Sequence, residues 1–278
     1  PDRPTSPWFL WPKGSSGSAA DRIGPSDYEA HLGANTGGAN GVYWVTFAPD
    51  SGTGPDAVLR FREGEAPAEP MGSPLSSESM PARQEPRPPA PMQGRLVRVR
   101  NIPERGKHRV PAVERLVEAE LLYPLLRWAD VGRFRAVPSA FVLLAQDAQS
   151  RRGIAEALMR DRYPNALAYL TEFRDVLQRR AAYRRYQSQA PFYSMYDVGP
   201  YTLAPVKVVW RRMDRQINAV VVEPIADPRL GPRPVIPQET CALVAADSAD
   251  EAHYLCAVLN SAWVGFLVTS HSVRGGKG

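Results

Sequence analysis

The feature that most constrains this chain is a proline-rich stretch at positions 62–94. It holds eight prolines and almost no large aliphatic side chains. Such a segment cannot bury enough apolar surface to offset the entropy cost of ordering it. We therefore predict a disordered insertion at 62–94, between a loop-rich start (1–61) and a longer remainder (95–278). Because the sequence does not begin with Met and stops at Gly-Gly-Lys-Gly, we expect a fragment of a larger protein, truncated at its C-terminus.

Outside the insertion, strand and helix patterns occur without a regular βαβ alternation. Runs of β-branched and aromatic residues predict strands at 42–47, 58–61, 96–100, 139–145, 201–210, 217–222 and 240–245. Helical periodicity predicts helices at 111–122, 151–160, 164–186 and 248–268. Pro164 suits the first turn of the longest helix, and Ser248 with Glu251 forms a capping box for the last. The expected fold is α+β: a mixed sheet with a long central amphipathic helix and a C-terminal helix.

The charge, the cysteines and the apolar runs of the sequence indicate which partners the chain can have. The sequence pI is 9.3, and residues 151–215 contain thirteen Arg or Lys against six Asp or Glu. A basic segment of this kind suits a phosphate backbone. Cys241 and Cys256 lie in apolar contexts and are expected to be buried, not paired or metal-bound. No signal peptide and no apolar run of about 18 residues is present, so we expect a cytoplasmic protein without a membrane partner.

The sequence offers no convincing catalytic, cofactor or metal site. The only long glycine cluster, residues 33–41, is followed by a predicted strand, whereas a phosphate cradle needs a helix N-terminus there. The four histidines stand in unrelated contexts, without a nucleophile elbow. We therefore predict no catalytic residues, no metal and no bound cofactor in this chain.

Three basic clusters have a structural and a functional interpretation each. The run from Arg98 to Arg109 fits a solvated edge strand and a phosphate or guanine contact equally well. Around Arg127 and Arg133, the aromatic residues Trp128 and Phe134 fit a core while the arginines face DNA. At the end of the 201–210 strand, core packing is the favoured interpretation for Trp210.

Read in order, several segments resemble one family. They are GANTGGANGVYWV (33–45), RVRNIPERGK (98–107), LLYPLLRWADVGRF (121–134), RYPNALAYLTEFRDVLQRRAAYRRY (162–186), PFYSMYDVGPYTLAPVKVVWRR (191–212), PVIPQET (234–240) and SADEAHYLCAVLNS (248–261). Together they are similar to the C-terminal region of adenine-specific DNA methyltransferases of type II (type IIG-like) restriction–modification systems and of related phage-exclusion systems.

The resemblance implies a target-recognition region that follows a Rossmann-like catalytic domain. In that family the catalytic domain binds S-adenosylmethionine and flips the target adenine into a pocket marked by an Asn-Pro-Pro-aromatic motif. The only Pro-Pro of this chain is Pro88-Pro89, inside the predicted insertion. Methyl transfer and S-adenosylmethionine therefore belong to the expected parent protein, and this chain should not methylate alone.

The expected partners are double-stranded DNA and the missing catalytic domain. In the favoured hypothesis, arginines contact phosphates and a few side chains read base edges. The candidate DNA-binding residues are Asn35, Thr36, Asn40, Arg98, Arg100, Arg105, Lys107, Arg127, Arg133, Lys207, Arg211 and Arg212. Two alternatives remain open. Residues 33–45 could pack against the catalytic domain, or the chain could be a protein- or RNA-interaction module without DNA contact.

Overall fold

The computed structural model describes residues 26–48, 94–214 and 216–271. These residues form two larger β-sheets, three two-stranded sheets and the helices packed on them. The predicted insertion, except for Gly94, and the predicted strand at 58–61 lie outside these residues. Helices and strands occur in comparable amounts and the larger sheet is mixed, so the α+β prediction is confirmed.

The strands are β1 (His31–Leu32), β2 (Trp44–Phe47), β3 (Leu96–Asn101), β4 (Glu114–Glu118), β5 (Leu122–Leu126), β6 (Val131–Gly132), β7 (Arg135–Ala136), β8 (Ala140–Leu143), β9 (Gln146–Asp147), β10 (Arg152–Gly153), β11 (Lys207–Arg211), β12 (Ala219–Val222), β13 (Ile225–Asp227), β14 (Gly231–Arg233), β15 (Ile236–Pro237) and β16 (Cys241–Ala245). The helices are α1 (Asn40–Tyr43), α2 (Glu156–Arg162), α3 (Pro164–Glu172), α4 (Arg174–Arg179), α5 (Ala181–Tyr186), α6 (Pro200–Leu203), α7 (Ala249–Leu259) and α8 (Ala262–His271). Short 3₁₀ helices occupy Pro103–Arg105, Ala119–Leu121 and Trp128–Asp130.

The larger sheet has six strands in the order β15-β5-β8-β2-β3-β4. Only the β15–β5 pair is parallel. In β3 the side chains alternate strictly: Val97, Val99 and Asn101 are buried, and the residues between them are exposed. This alternation follows from the two-residue period of a strand and confirms the strand predicted at 96–100. Helix α3 packs against β4, and the largest apolar core surrounds this sheet.

The smaller sheet has four antiparallel strands in the order β1-β16-β11-β12. Helix α7 covers one face, where Val208 and Ala219 meet Ala252 and Cys256. The other face buries Val209 and Leu243 against Leu126 and Val235, among other apolar residues. Because Leu126 belongs to β5, this second core joins the two sheets. Both cysteines are buried free thiols, as predicted.

The helix predicted at 111–122 is wrong. Residues Glu114–Glu118 form β4, which pairs with β3 over five residues. The high helix propensity of this Glu- and Leu-rich segment is overridden by the sheet, where Val117 is fully buried beside Val97. The buried Glu118 carboxylate accepts the N–H groups of Asn165 (2.9 Å) and Ala166 (2.8 Å) and so caps the start of α3.

The long helix predicted at 164–186 is also wrong as a single element. It is divided into α3, α4 and α5, with interruptions at Phe173 and Arg180. Arg180 adopts an extended conformation (φ −55°, ψ 126°). Its side chain is fully buried, unlike those of the neighbouring Arg179, Arg184 and Arg185, which are exposed.

Three other predicted elements have different bounds in the structure. The segment 42–47 begins as the single turn α1 before β2, and 201–210 begins with α6 before β11. The 248–268 helix is divided at Asn260–Ser261 into α7 and α8. Half of the predicted capping box is confirmed, because the Ser248 hydroxyl accepts the Glu251 N–H at 3.1 Å. The Glu251 carboxylate accepts the N–H of Asp247 at 2.7 Å, whereas a capping box needs the N–H of Ser248. Within the described ranges, none of the helices combines the length and apolarity that crossing a bilayer requires.

Candidate nucleic-acid interface

The glycine-rich loop, residues 33–41, is held between two other segments of the chain. Asn35 exchanges backbone hydrogen bonds with Tyr196 (3.0 and 2.9 Å), and Ala34 forms a parallel bridge with Gln238. The backbone approaches so closely that a β-carbon at Gly33 would lie 2.3 Å from the Gln238 carbonyl oxygen. Only glycine fits there. The loop is therefore a packed structural element, fixed on both sides.

The polar side chains of this loop mostly bond within it. The Asn35 Oδ1 accepts the Gly37 N–H at 2.8 Å, and the Thr36 hydroxyl donates to the Asn40 Oδ1. Thr36 is buried, so its prediction as a DNA contact is corrected. Asn35 and Asn40 are half-buried. The loop ends in the single helical turn α1, which leads directly into β2.

The buried side chain of Arg180 holds the glycine-rich loop in place. Its guanidinium is 0% exposed and donates to three backbone carbonyls: Leu177 (2.8 Å), Thr36 (3.0 Å) and Phe192 (2.7 Å). The rings of Tyr43, Tyr183 and Tyr196 lie within 5.9 Å of its Cζ atom. The described residues form no ion pair with Arg180, so carbonyl dipoles and aromatic faces compensate its charge. The sequence did not reveal this role, because nothing in the local sequence distinguishes Arg180 from the exposed arginines around it.

Lys107 and Arg105 lie beside the same loop. The Lys107 N–H donates to the Gly38 carbonyl at 2.9 Å, and its side chain packs along Gly38. Gly38 has φ +89°, a conformation that other residues rarely adopt. Both basic side chains are exposed. The structure therefore places the segment from Pro103 to Lys107 against the second half of the glycine-rich loop.

Arg98 and Arg100 point outward from β3, on the face of the six-stranded sheet opposite Val97 and Val99. Their neighbours across the strand pair are Leu116 and Glu114, both exposed. The predicted cationic face of this strand is thus present. Nothing in the cross-strand pairing favours a phosphate contact over a solvated sheet face.

A second group of candidates converges around Trp128. We define the Trp128 surface as Arg127, Trp128, Arg133, Phe134, Arg135, Arg211, Arg212 and Met213. Arg127 and Trp128 lie at the start of the 3₁₀ helix Trp128–Asp130, which leads directly into the β6–β7 hairpin that carries residues 133–135. That hairpin packs on β11 and β12, and β11 ends at Arg211. Segments far apart in sequence therefore meet at one end of the smaller sheet.

Trp128 is the centre of this surface. The Arg211 guanidinium lies 4.2 Å from the Trp128 ring centroid, and its Nε donates to the Trp128 carbonyl at 3.1 Å. The indole Nε1 donates to the Met213 carbonyl at 3.1 Å. Trp128 nevertheless remains 39% exposed and Met213 76% exposed. The expectation that Trp128 belongs to the core is therefore wrong. Trp210, by contrast, is partly buried against the core beneath α7, as favoured.

Phe134 departs furthest from expectation. The sequence pattern places it in the core, but it is 60% exposed, and its φ is +59°. It forms the two-residue tip of the β6–β7 hairpin together with Arg133, because Gly132 pairs with Arg135. The Arg133 guanidinium lies 5.3 Å from the Phe134 ring centroid. The tip therefore presents an aromatic ring flanked by two arginines.

The charges of the Trp128 surface are only partly neutralised. Arg127 pairs with Asp130 (3.1 Å) and Arg211 with Asp214 (3.3 Å). Arg127 also bonds Ser139 and is mostly buried, which limits its reach toward a ligand. Arg133 donates to the Asn260 carbonyl at 2.8 Å, while Arg135 and Arg212 are exposed. No carboxylate among the described residues forms an ion pair with these last three arginines.

Lys207 is removed from the candidate interface. It is 0% exposed in β11, and its Nζ donates to the carbonyls of Thr202 (2.7 Å) and Val235 (2.9 Å). Burial lowers its pKa to about 7. A neutral amine has two N–H donors, which match these two carbonyls. Lys207 thus links β11 to α6 and to the residue before β15 inside the protein, and it does not contact DNA in this conformation.

The sequence could not have separated these roles. The local sequence does not distinguish the buried Arg180 from its exposed neighbour Arg179, nor the buried Lys207 from the exposed Arg212. Only contacts with distant parts of the chain decide which of them is buried. Phe134 and Met213 carried no signal of exposure. A comparison with models of known protein families finds none that matches this chain, and a comparison with curated proteins finds no significant match.

Proposed function

We propose that this chain is the DNA-recognition portion of a site-specific adenine DNA methyltransferase or restriction–modification enzyme, and that it binds duplex DNA through the Trp128 surface. The resemblance of the sequence segments supports the family. The observation that carries the DNA interface is the Trp128 surface itself, where three large apolar side chains are exposed. Arg127 and Arg211 pair with carboxylates there, whereas Arg133, Arg135 and Arg212 form no ion pair with a carboxylate of the described residues. Methyl transfer, with S-adenosylmethionine, belongs to the parent protein's catalytic domain.

Arginine suits this role for a geometric reason. Its planar fork of N–H donors binds one phosphate, or the O6 and N7 of guanine, with two parallel hydrogen bonds. Arg133, Arg135 and Arg212 are the candidates for such contacts. Arg211 has a different role, because it stacks on Trp128, pairs with Asp214 and so fixes the orientation of the indole ring. The remaining basic candidates, Arg98, Arg100, Arg105 and Lys107, would serve as outlying phosphate contacts.

A second candidate function is supported by the last two helices. Tyr254 and Val258 on α7, and Trp263 and Phe266 on α8, leave large apolar side chains exposed. An exposed apolar surface of this kind is typical of a contact with another domain. This observation favours the alternative in which the chain packs on a partner domain without touching DNA. If the chain does bind DNA, these two helices could still contact a partner domain, because their exposed apolar side chains are not part of the Trp128 surface.

The proposal is tested by fluorescence-anisotropy binding of the full chain to a labelled random-sequence duplex across a salt series. We expect the affinity to fall with salt, with a log–log slope of about −3 from Arg133, Arg135 and Arg212 alone, and a steeper slope if the outlying residues contact phosphates as well. A folded sample that does not bind at low salt would contradict the proposal and favour the partner-domain function.

A matched pair of double variants locates the interface. R135Q/R212Q removes two charges from the Trp128 surface and should reduce the slope by about 2. R179Q/R184Q removes two exposed charges from α4 and α5. It lowers the net charge equally and should leave the slope nearly unchanged. The reverse pattern would place the DNA on the helical arginines and refute the assignment to the Trp128 surface.

A further inference from the structure

We infer that Phe134 is a base-stacking residue, which enters the base stack of the bound duplex at a step that is opened or easily unstacked. This inference rests on the proposed function and adds to it a specific contact and a preference for a particular DNA structure. It is carried by three observations on the β6–β7 hairpin: its backbone conformation, its anchoring and its exposed aromatic ring.

The backbone conformation is unfavourable for the residue that adopts it. In a two-residue hairpin loop, a positive φ is normally taken by glycine or asparagine, because the β-carbon of other residues collides with the backbone. Here the position is held by phenylalanine at φ +59°. The ring gains little in return, since it is 60% exposed. A bulky residue kept in this conformation without burial points to a role outside the folding of the chain itself.

The hairpin is firmly anchored beneath this tip. The Phe134 N–H donates to the Ala219 carbonyl at 2.9 Å. The buried Asn260 side chain bonds both backbone groups of Ala219, at 2.9 and 2.8 Å. Arg133 in turn donates to the Asn260 carbonyl at 2.8 Å. The conformation is therefore fixed by β12 and by the end of α7, so that the ring is presented in place before any ligand binds.

The surroundings of the ring favour a nucleobase over a protein pocket. Arg133 and Arg135 flank it, and Arg212 belongs to the same surface. An apolar pocket of a protein partner would have to bury these charges, whereas DNA places phosphates on both sides of a stacked base. The entry of an apolar side chain into a base step has an unstacking cost, which is lowest where the step is mismatched or already open.

The experiment compares two labelled duplexes of the same sequence, one fully paired and one with a single mismatched pair, bound to the full chain at fixed salt. We expect the wild-type chain to bind the mismatched duplex about tenfold more tightly, because the ring has less stacking to disrupt when it enters a mismatched step. F134G should lose this preference, and F134W should keep it. Glycine accepts the positive φ, so thermal unfolding should show F134G to be folded.

R135Q/R212Q serves as the control, because it should weaken binding to both duplexes while the preference for the mismatch remains. If the wild-type chain binds neither duplex, the proposed function itself fails. If it binds both equally, or if F134G retains the preference, DNA binding stands but the stacking role of Phe134 is refuted. The hairpin tip would then be assigned to a protein contact.

Discussion

Lys207 allows the sharpest test of how this fold treats a buried charge. The amine lies in β11 with two carbonyl acceptors and no exposed surface, and its pKa falls to about 7 from its ordinary value of 10.5 because of burial. In the unfolded chain the ordinary value applies. Between pH 7 and 10.5 the unfolded state therefore binds more protons than the folded state, and the free energy of unfolding rises with pH.

The magnitude follows from the size of the shift. One pKa unit corresponds to about 1.4 kcal/mol. Between pH 7 and 9 the unfolded lysine stays almost fully protonated, while the folded one loses its remaining proton. Integration over this interval gives a gain of about 2 kcal/mol in the free energy of unfolding. Well below pH 7 both states are protonated, and this contribution no longer changes with pH.

The assay is urea unfolding of the wild-type chain and K207M at pH 7, 8 and 9. Burial raises the pKa of the Cys241 thiol to about 12, so the unfolded chain loses that proton first and stability falls near pH 9. This opposing trend is common to both proteins, so the difference between them isolates Lys207. We expect that difference to grow by about 2 kcal/mol in favour of the wild type. Parallel pH profiles would refute the reasoning and show that the two carbonyls hold a charged ammonium.

Three further predictions concern other buried groups. Arg180→Lys should lower the free energy of unfolding by about 2 kcal/mol or more in urea, because lysine lacks the fork that serves three carbonyls; an unchanged midpoint would contradict the anchoring role. Glu118→Ala should cost about 1–2 kcal/mol, because α3 loses its cap, while Glu114→Ala on the exposed part of β4 is the control. Burial raises the pKa of both Cys241 and Cys256, so a thiol reagent at pH 8 should label the native chain slowly and the unfolded chain fast. Rapid labelling of the native chain would show that these sites open.

Features with a local cause were predictable from the sequence. The alternation of buried and exposed side chains in β3 follows from the alternation of residue types at 96–101. Ser248 caps α7 by accepting the N–H of Glu251, only three positions away. Such patterns need no knowledge of the rest of the chain. The α+β class followed from the mixture of these local patterns.

Features decided by distant contacts were not predictable. The segment 114–118 has helical composition, but its pairing with β3 and the cap that Glu118 gives to α3 make it a strand. Arg180 interrupts a helical pattern because its side chain reaches the Thr36 carbonyl, 144 positions away in the chain. Sequence periodicity contains no information about either partner.

In the candidate site, too, local features were predictable and features that depend on distant contacts were not. The basic composition of residues 151–215 was visible, but the fold buries Arg180 and Lys207 and brings Arg211 and Arg212 to Trp128 from a different part of the chain. Trp128 and Phe134 were expected in the core because large aromatic residues usually lie there. Phe134 is exposed because it lies at the tip of the β6–β7 hairpin, whose strands are only two residues long. This hairpin follows directly after the 3₁₀ helix that contains Trp128.

The central claim is that the Trp128 surface binds the DNA backbone. Its most direct test is the difference in salt dependence between R135Q/R212Q and R179Q/R184Q, measured by anisotropy on one duplex between about 50 and 200 mM salt. We predict that the log–log slope becomes shallower by about 2 for R135Q/R212Q alone. Equal slopes for the two variants, both matching the wild-type chain, would show that the Trp128 surface does not contact phosphates and would contradict this claim.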